Sequence, residues 1–562
     1  MKLFKYLAVL FICVFMFTIS GHQAFAGSCA SSGVGVSWNT AADWTGTCTG
    51  VGGLPATGDS VTINHPITVD VSIPSIASLT INSTLTSSNF INTGTLTINA
   101  SGTLIANSNT ITLTGTSGTL FTLVPGGTYT PGTAQVLVVG NGDATLNSGS
   151  PTFASLTISG SGTKTLGAPV TVTGALAIAV GNLDTSTSNY ALSAASLSIT
   201  TGTSIIANGS TINITGTSGV LMSTGSSGVG ITYGTSTFNF SGNGNATIGT
   251  GTQMNFYNLT SSGTGTKTIG AGGIVIRPGG TLSVTNGTFD PGSGGILSVG
   301  STTLSVTNAT VNAITAFEVD FPFTSRILGV GSTVDYNEGS PQTVYQGVTY
   351  YNLKISGSFT KSLSGVTTVT NQVTVASGTF STAGQTLNAR SIVMEGGTFT
   401  PGAATVNLTG TGVDLITIIG GSITPATSTF AMTGNGDANL LSASSGQTFY
   451  NITSSGTGTK SVGGTVNITA GGTLSITAGT FNPGSLAISA SNTNNTLSVT
   501  NATINVGRST FSSTYSDFTT KTLGVGSTVN YNRAGTQTID NSFAYYNLSI
   551  TGGSREVDFP TT

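Results

Sequence analysis

The residues best suited to catalysis form one acidic stretch in the middle of the chain. Its charged members are Glu318, Asp320, Arg326, Asp335 and Glu338. Clustered carboxylates beside a cation are what an enzyme that cleaves polysaccharides needs for proton transfer and charge stabilisation. The alternative is a solvated loop whose charges keep a sheet edge from pairing with other chains. We favour the loop, and we predict no catalytic residue.

A second candidate is an aromatic pair that recurs once in about a hundred residues, as in Phe256-Tyr257. Neighbouring strand residues point to opposite faces, so one member of each pair is expected in the core and the other on the surface. A row of outward tyrosines could contact sugar rings. The predicted glycan contacts are Tyr257, Tyr351, Tyr450 and Tyr546.

Metal sites are the third possibility, because the word GNGDA occurs at 140–144 and 434–438, with GNGNA at 242–246. Calcium-binding repeats need tandem spacing and several acids for each ion. Here each Asp is isolated and Asn245 replaces it in the middle copy, so a turn is the better interpretation. His65 is the only histidine after residue 26. We therefore predict no metal and no cofactor.

The composition that surrounds these candidates is unusual. Of 562 residues 80 are Gly, and only 14 Lys and Arg and 17 Asp and Glu carry charge, which is 6 % of the chain. The net charge of −3 and the hydrophobic fraction of 37 % do not suit a disordered chain. Glycine has no three-residue period, which excludes collagen. No basic stripe is present, so nucleic acid is not expected as a partner.

The first 26 residues have the pattern of a secretory signal. Lys2 and Lys5 precede an apolar run at 7–19, and Ala-Phe-Ala follows at 24–26, so we expect cleavage after Ala26. A lipoprotein signal acting at Cys29 is the alternative, but Ala26 stands where that signal prefers Leu. The apolar run is too short for a membrane span, and no other follows in the mature chain. The prediction is a secreted or cell-surface protein.

Two cysteines remain after this cleavage, Cys29 and Cys48. In an exported chain such a pair is expected to form a disulfide. A metal site is not favoured, because no second cysteine pair exists.

Internal repeats determine the architecture. FYNLTSSGTGTKTIG at 256–270 returns as FYNITSSGTGTKSVG at 449–463, and TLSVTNAT at 303–310 returns at 496–503. GVGSTVDYN at 329–337 returns at 524–532 with one change. Inside this long period the aromatic word recurs in a unit of about 98 residues. The mature chain is therefore predicted to consist of such units, with alternate units most alike.

Each unit contains short words in which polar and aliphatic residues alternate, separated by Gly, Asn and Pro, as in Thr303 to Val306. This period of two predicts strands with one apolar face. The fold class is all-β. Separate sandwiches of about 98 residues are one arrangement. We favour a parallel β-helix, or β-solenoid, of roughly two dozen rungs, because the strand words are short, linkers are absent and the unit length varies.

The segment at 37–82, with Trp38, Trp44 and a Pro55-x-x-Gly58-Asp59 word, resembles the eight-glycine extracellular domain. The later repeats resemble bacterial surface proteins of the adhesin or filamentous-haemagglutinin type. The resemblance implies a parallel β-helix and an extracellular role. We expect a signal peptide at 1–26, an N-terminal cap with the first rungs at 27–100, and a repetitive solenoid at 101–562 that continues beyond Thr562.

These observations favour an exported, non-enzymatic repeat protein that acts as a surface adhesin or a structural stalk. Its expected partner is extracellular matrix, a cell surface or a polysaccharide. The alternatives are a carbohydrate-binding or carbohydrate-active β-helix, which includes a polysaccharide lyase or hydrolase. An ice-binding solenoid is a further alternative, because Thr rows such as Thr110 to Thr114 could lie on one flat face.

Overall fold

The fold was described from a computed structural model, which covers residues 26–33, 35–225, 230–442, 446–552 and the backbone of 557–558. The predicted signal peptide at 1–26 lies outside these residues except for Ala26. The described residues form two compact units, 26–242 with 249–256 and 243–248 with 257–552 and 557–558. Strands Ala246–Thr250 and Met254–Ser261 contribute residues to both.

The chain is an all-β protein whose parallel strands stack in a β-solenoid of about 22 turns. The predicted fold class is therefore confirmed. Within the residues that the structure describes, helical structure is limited to two single turns, α1 (Phe317–Asp320) and α2 (Phe511–Thr514), and to the 3-10 turns Ala41–Asp43 and Val51–Gly53.

The first unit has four parallel stacks, and long strands serve two of them. The first is Ser28–Ser31, Ser60–Ile63, Ile76–Ile81, Ile91–Ile98, Thr119–Leu123, Ala144–Ser148, Thr163–Thr165, Asn182–Asp184, Ser204–Ile206 and Ile231–Thr232. The second is Ile67–Val69, Thr84–Ser87, Thr103–Ile105 and Thr128–Thr130. The third is Ile91–Ile98, Ile111–Leu113, Gln135–Val138, Ser155–Ile158, Val170–Ile178, Leu192–Ile199 and Val220–Thr224. The fourth is Thr152–Phe153, Val170–Ile178, Leu192–Ile199, Thr211–Ile214 and Thr237–Phe240.

The second unit is dominated by one long stack. It contains Ala246–Thr250, Thr266–Ile269, Thr288–Asp290, Thr310–Ala313, Thr333–Tyr336, Thr349–Ile355, Thr367–Val375, Leu387–Met394, Asp414–Ile418, Ala438–Leu441, Thr459–Ser461, Thr480–Asn482, Thr503–Val506, Thr528–Tyr531 and Asn547–Ile550. A second stack is Thr349–Ile355, Thr367–Val375, Leu387–Met394, Thr405–Leu408, Thr429–Met432, Gln447–Ser454, Val466–Ile476, Thr496–Val499 and Thr520–Leu523.

Shorter stacks complete the turns of this unit. They are Ile274–Val284 with Ile296–Ser298, Thr303–Val306 and Ser325–Leu328; Gln342–Val344 with Thr360–Leu363, Thr379–Ser381, Thr398–Thr400 and Ser422–Ile423; Val466–Ile476 with Ile488–Ala490 and Tyr515–Ser516; and Gln537–Thr538 with Val557–Asp558.

The alternation within each strand word explains the core. In Thr303–Val306, Leu304 and Val306 are fully buried, whereas the residues between them are only half buried. Because equivalent positions of successive turns pair in register, the buried side chains stack into continuous columns. Chain reversals fall at residues with positive φ, such as Asn308 and Gly331, where Asn and Gly are least strained.

The N-terminal segment lies against the first turn. Ser28–Ser31 pairs in parallel with Ser60–Ile63, and it also pairs in antiparallel fashion with Trp44–Gly46. Trp38 and Trp44 are buried with their ring centroids 4.8 Å apart, and the indole N–H of Trp44 donates to the Trp38 carbonyl over 2.9 Å. The predicted disulfide between Cys29 and Cys48 is confirmed.

Candidate functional site

The acidic stretch at 318–338 does not form one catalytic cluster. Asp320, at the end of α1, is buried, and its carboxylate accepts hydrogen bonds from the backbone N–H groups of Ile314 and Thr315 at 2.6 and 2.9 Å. It also accepts from the Thr315 hydroxyl at 2.5 Å. These contacts close the loop that leads into α1. Asp320 is therefore a structural residue of this turn.

Arg326 also serves the loop. Its Nε donates to the Phe321 carbonyl at 2.8 Å, and its guanidinium lies 5.2 Å from the centroid of the Tyr345 ring. Its Nη2 is 3.5 Å from the Glu318 carbonyl oxygen. The guanidinium thus binds backbone carbonyls and an aromatic ring, and among the described residues Oε2 of Glu318 is buried without a hydrogen-bond partner.

Asp335 belongs to a separate, partly buried feature, which we call the first polar strip: Thr268, Asp290, Asn312, Asp335 and Lys354, on successive strands of the long stack. Asn312 donates to Asp290 over 2.9 Å, and the Lys354 ammonium lies 3.4 Å from the Asp335 carboxylate. Beside it runs a column of Thr266, Thr288, Thr310 and Thr333. On these strands only Thr266 is followed by a second Thr two residues later, at Thr268. This face is therefore not a regular Thr array.

Three of the four aromatic pairs divide between core and surface as the alternation predicts, whereas in the fourth pair Tyr545 is only half buried. Phe256, Tyr350 and Phe449 are fully buried. Their neighbours Tyr257, Tyr351 and Tyr450 are half buried, and Tyr546 is 56 % exposed.

Two of the outward tyrosines cover glycines of the next turn. A Cβ atom added to Gly279 would lie 3.1 Å from the Tyr257 hydroxyl oxygen, and one added to Gly471 would lie 3.2 Å from that of Tyr450. An aromatic ring over a strand glycine shields backbone that has no side chain of its own. Among the described residues Tyr351 has no such glycine, and it remains the better glycan candidate of the three.

The GNGDA words have a partner that the sequence did not reveal, a fully buried lysine. Lys164, Lys267 and Lys460 each donate to the carbonyl of the second glycine of the word, Gly142, Gly244 and Gly436, at 2.5 to 2.7 Å. Each also donates to a carbonyl three residues before itself at 2.6 to 2.8 Å. Lys361 makes the same kind of contact with Glu338 and Ser340 at 2.7 and 2.6 Å. We call these four positions the lysine corners.

Burial lowers the pKa of all four lysines. Nearby carboxylates oppose this lowering of the pKa for three of the lysines. They are Asp143 for Lys164, Glu338 for Lys361 and Asp437 for Lys460. At Lys267 only burial acts, since Asn245 replaces the acid. The signal in the sequence was the constant pairing of each GNG word with a Gly-Thr-Lys word one turn later.

A polar groove of about 490 Å³ on the second unit contains two arginines, and we call it the basic groove. It is lined by Ser485, Gly507, Arg508, Ser509, Ser513 and Arg533. Both arginines are exposed, and Arg508 is bound only loosely, with its Nη1 3.3 Å from the Ser513 carbonyl. Two exposed guanidinium groups beside hydroxyls can bind carboxylate or sulfate groups. Sequence reasoning missed this site, although Arg533 replaces Glu338 directly after the repeated word at 329–337 and 524–532.

A second groove, of about 520 Å³, is lined by Gly412, Val413, Asp414, Asp437, Ala438, Asn439, Thr459 and Ser461. Both of its carboxylates are engaged: Asp414 accepts from Asn439 at 3.0 Å and Asp437 from the Thr459 N–H at 2.7 Å. Within the residues that the structure describes, no three His, Cys, Asp or Glu side chains are placed to hold a metal ion.

No protein-family model, curated protein or solved structure matches this chain. In the part of the chain that is described, no helix has the length and apolarity to cross a membrane.

Proposed function

We propose that this protein is an exported, non-enzymatic β-solenoid that acts as a surface adhesin or structural stalk. The observation that carries the proposal is the use of its charged side chains. Lys164, Lys267, Lys361 and Lys460 are buried, and each holds a corner once in each repeat unit. Charged side chains that make the same structural contact in each repeat favour a scaffold, whose function is to form an extended support and to present a surface.

The disulfide supports the exported location. Cys29 is buried and bonded to Cys48. Disulfides persist mainly in secreted and cell-surface proteins, because the cytosol keeps thiols reduced. The location agrees with the signal pattern at 1–26.

The proposal is tested by coating beads with the purified mature chain and measuring their adhesion to surfaces bearing different polysaccharides. Adhesion without a change in polysaccharide chain length is the expected result. Release of new chain ends from any of these polysaccharides would overturn the proposal, because it requires an enzyme.

The second candidate, a carbohydrate-binding β-helix, is favoured by the basic groove. Arg508 and Arg533 lie on the same groove and are exposed. A guanidinium pairs well with a planar carboxylate or a sulfate, so the ligand class is an acidic polysaccharide rather than a neutral one. Repeated weak contacts along such a polymer would gain strength through avidity.

Affinity electrophoresis in gels with polygalacturonate, and in gels with neutral dextran as a control, tests this candidate. We expect retardation in the acidic gel alone, decreasing with added salt because the contacts are exposed charges. The Arg508→Ser and Arg533→Ser double variant should migrate freely. Tyr351→Ala and Tyr546→Ala test the tyrosine hypothesis separately, and unchanged retardation would remove these two residues from the site.

A further inference from the structure

The first residue of the expected mature chain contacts a buried carboxylate. The backbone nitrogen of Gly27 donates to Oδ1 of Asp59 over 2.8 Å. Asp59 is completely buried. It also accepts hydrogen bonds from the N–H groups of Thr49 and Ala56, both at 2.9 Å, and from the Thr49 hydroxyl at 2.7 Å.

No lysine, arginine or histidine side chain of the described residues forms an ion pair with this carboxylate. Among the described residues the one ion pair joins Lys354 and Asp335, far along the chain from Asp59. Burial alone would raise the pKa of Asp59, but its hydrogen bonds to Thr49, Ala56 and Gly27 hold that pKa below its ordinary value. Asp59 is therefore an ionised group, and a buried anion without a counter-charge is costly.

Packing fixes Gly27 against this anion. A Cβ atom at Gly27 would lie 2.0 Å from the Thr47 carbonyl oxygen and 2.8 Å from Oδ1 of Asp59. Only glycine can bring its nitrogen this close. The neighbouring residue Ala26 is exposed, so the peptide bond between them marks the boundary between the buried cap and the solvent.

We propose that signal cleavage after Ala26 creates an α-ammonium group on Gly27 that forms a buried ion pair with Asp59 and locks the N-terminal cap. The proposal depends on the predicted cleavage position and not on the adhesive function. Cleavage by a signal peptidase adds one water across the peptide bond. Ala26 leaves with a carboxylate, and Gly27 retains the nitrogen as a protonated amine.

The uncleaved chain offers Asp59 only a neutral N–H, whereas the mature chain offers a full positive charge at the same atom. Charge-assisted hydrogen bonds are about twice as strong as neutral ones. The sulfur of Cys29 lies 3.5 Å from Oδ2 of Asp59, so the same carboxylate borders the disulfide. Removal of the signal peptide and formation of the Cys29–Cys48 disulfide thus both add a contact to the same part of the N-terminal cap.

The test compares three oxidised forms of the mature chain: one that starts at Gly27, one that retains Ala26, and one with N-acetyl-Gly27. Fusions to a removable N-terminal protein give the first two forms, and intact mass verifies each terminus. The readouts are the reduction rate of the disulfide by dithiothreitol and the pKa of the Gly27 α-amino group from pH-dependent labelling. The exported protein is sequenced from its N-terminus to establish the cleavage position independently.

For the free Gly27 form we expect disulfide reduction on the order of tenfold slower than for the two blocked forms. Its α-amino pKa should lie above the ordinary range of about 7.7 to 8.0. Asp59→Asn should remove the difference between the three forms. Equal reduction rates in all three forms with an ordinary α-amino pKa would overturn the proposal, even if Asp59→Asn did not fold. An exported chain that starts at another residue would also overturn it.

Discussion

The second unit contains two copies of one arrangement, at 266–355 and 459–550. Contacts that both copies share support the coil, and positions that differ between them are candidates for ligand recognition. In both copies a buried lysine holds the corner, and a column of four threonines follows on successive turns. Both copies also have a buried glutamine, Gln342 or Gln537, whose amide donates to carbonyls before the helical turn at 2.7 to 3.2 Å. These shared contacts build the coil.

The charged surface positions are not shared. The first polar strip contains Asp290, Asp335 and Lys354, and its counterpart in the second copy is neutral: Ser461, Asn482, Asn505, Asn530 and Ser549. Glu338 of the first copy is replaced by Arg533. The first copy therefore presents acids and the second presents the basic groove. Charges that vary between the copies while the shared contacts of the coil stay constant mark the positions where a scaffold can acquire different ligands.

The largest effect is expected in the core that supports the first copy. Leu353 is fully buried on the strand Thr349–Ile355. Leu353→Ala should destabilise its turns by about 2–5 kcal/mol through cavity formation. Hydrogen exchange of the surrounding strand amides measures the loss. A cost no larger than that of a surface substitution would show that this position does not support the coil.

The next largest effect concerns the lysine corner of the first copy. Lys267→Met leaves the Gly244 and Thr264 carbonyls without their donor, and we expect a loss of about 1–3 kcal/mol at pH 7. Because the pKa of Lys267 is lowered by folding, the unfolded chain binds more protons between this pKa and about 10.5, so the stability of the parent rises with pH there. The deficit of the variant in urea midpoint should therefore grow from pH 8 to pH 10. A deficit that shrinks over this range would contradict the assignment.

A smaller effect should follow from exchanging the neighbour of this lysine between copies. Asp437 raises the pKa of Lys460, and Asn245 gives Lys267 no such support. Asp437→Asn should lower the pKa of Lys460, and Asn245→Asp should raise that of Lys267. The pH dependence of the urea midpoint is expected to become steeper in the first variant and shallower in the second. Parallel profiles would mean that the carboxylate is too well solvated to act.

The smallest effect is expected at the charged pair of the first polar strip. Lys354 is 39 % exposed and its partner Asp335 10 %. Changing them to the residues of the second copy, Lys354→Ser and Asp335→Asn, should cost less than about 1 kcal/mol for each change. A double-mutant cycle by urea unfolding measures their coupling. A coupling energy well above this value would show that the pair contributes to the stability of the coil.

Much of this organisation could be predicted from the sequence, because it follows from local pattern. Alternation in words such as Thr303–Val306 determines which side chains are buried, and the constant offset between repeats predicts stacking in register. The disulfide followed from two cysteines in a chain expected to be exported.

The contacts that the sequence did not reveal join residues on different turns. In the word Thr-Lys-Thr the alternation places Lys267 inside, but a charged residue is usually exposed, and only the carbonyl of Gly244 explains its burial. Arg508 and Arg533 are separated by a full turn in the sequence, and only the coil brings them to the same groove. Asp59 belongs to the Pro55-x-x-Gly58-Asp59 motif, but its contact with Gly27 spans 32 residues and is not visible in that motif.

The most direct test of the account is to exchange the charges of the two copies and measure binding to polygalacturonate. Arg533→Glu should abolish retardation of the protein in an acidic gel while changing stability by no more than about 0.5 kcal/mol, as is usual for a surface substitution. Glu338→Arg, the converse change in the first copy, should increase retardation, and polygalacturonate incubated with either protein should keep its chain length. Retardation that survives Arg533→Glu, or polymer that becomes shorter, would contradict the account.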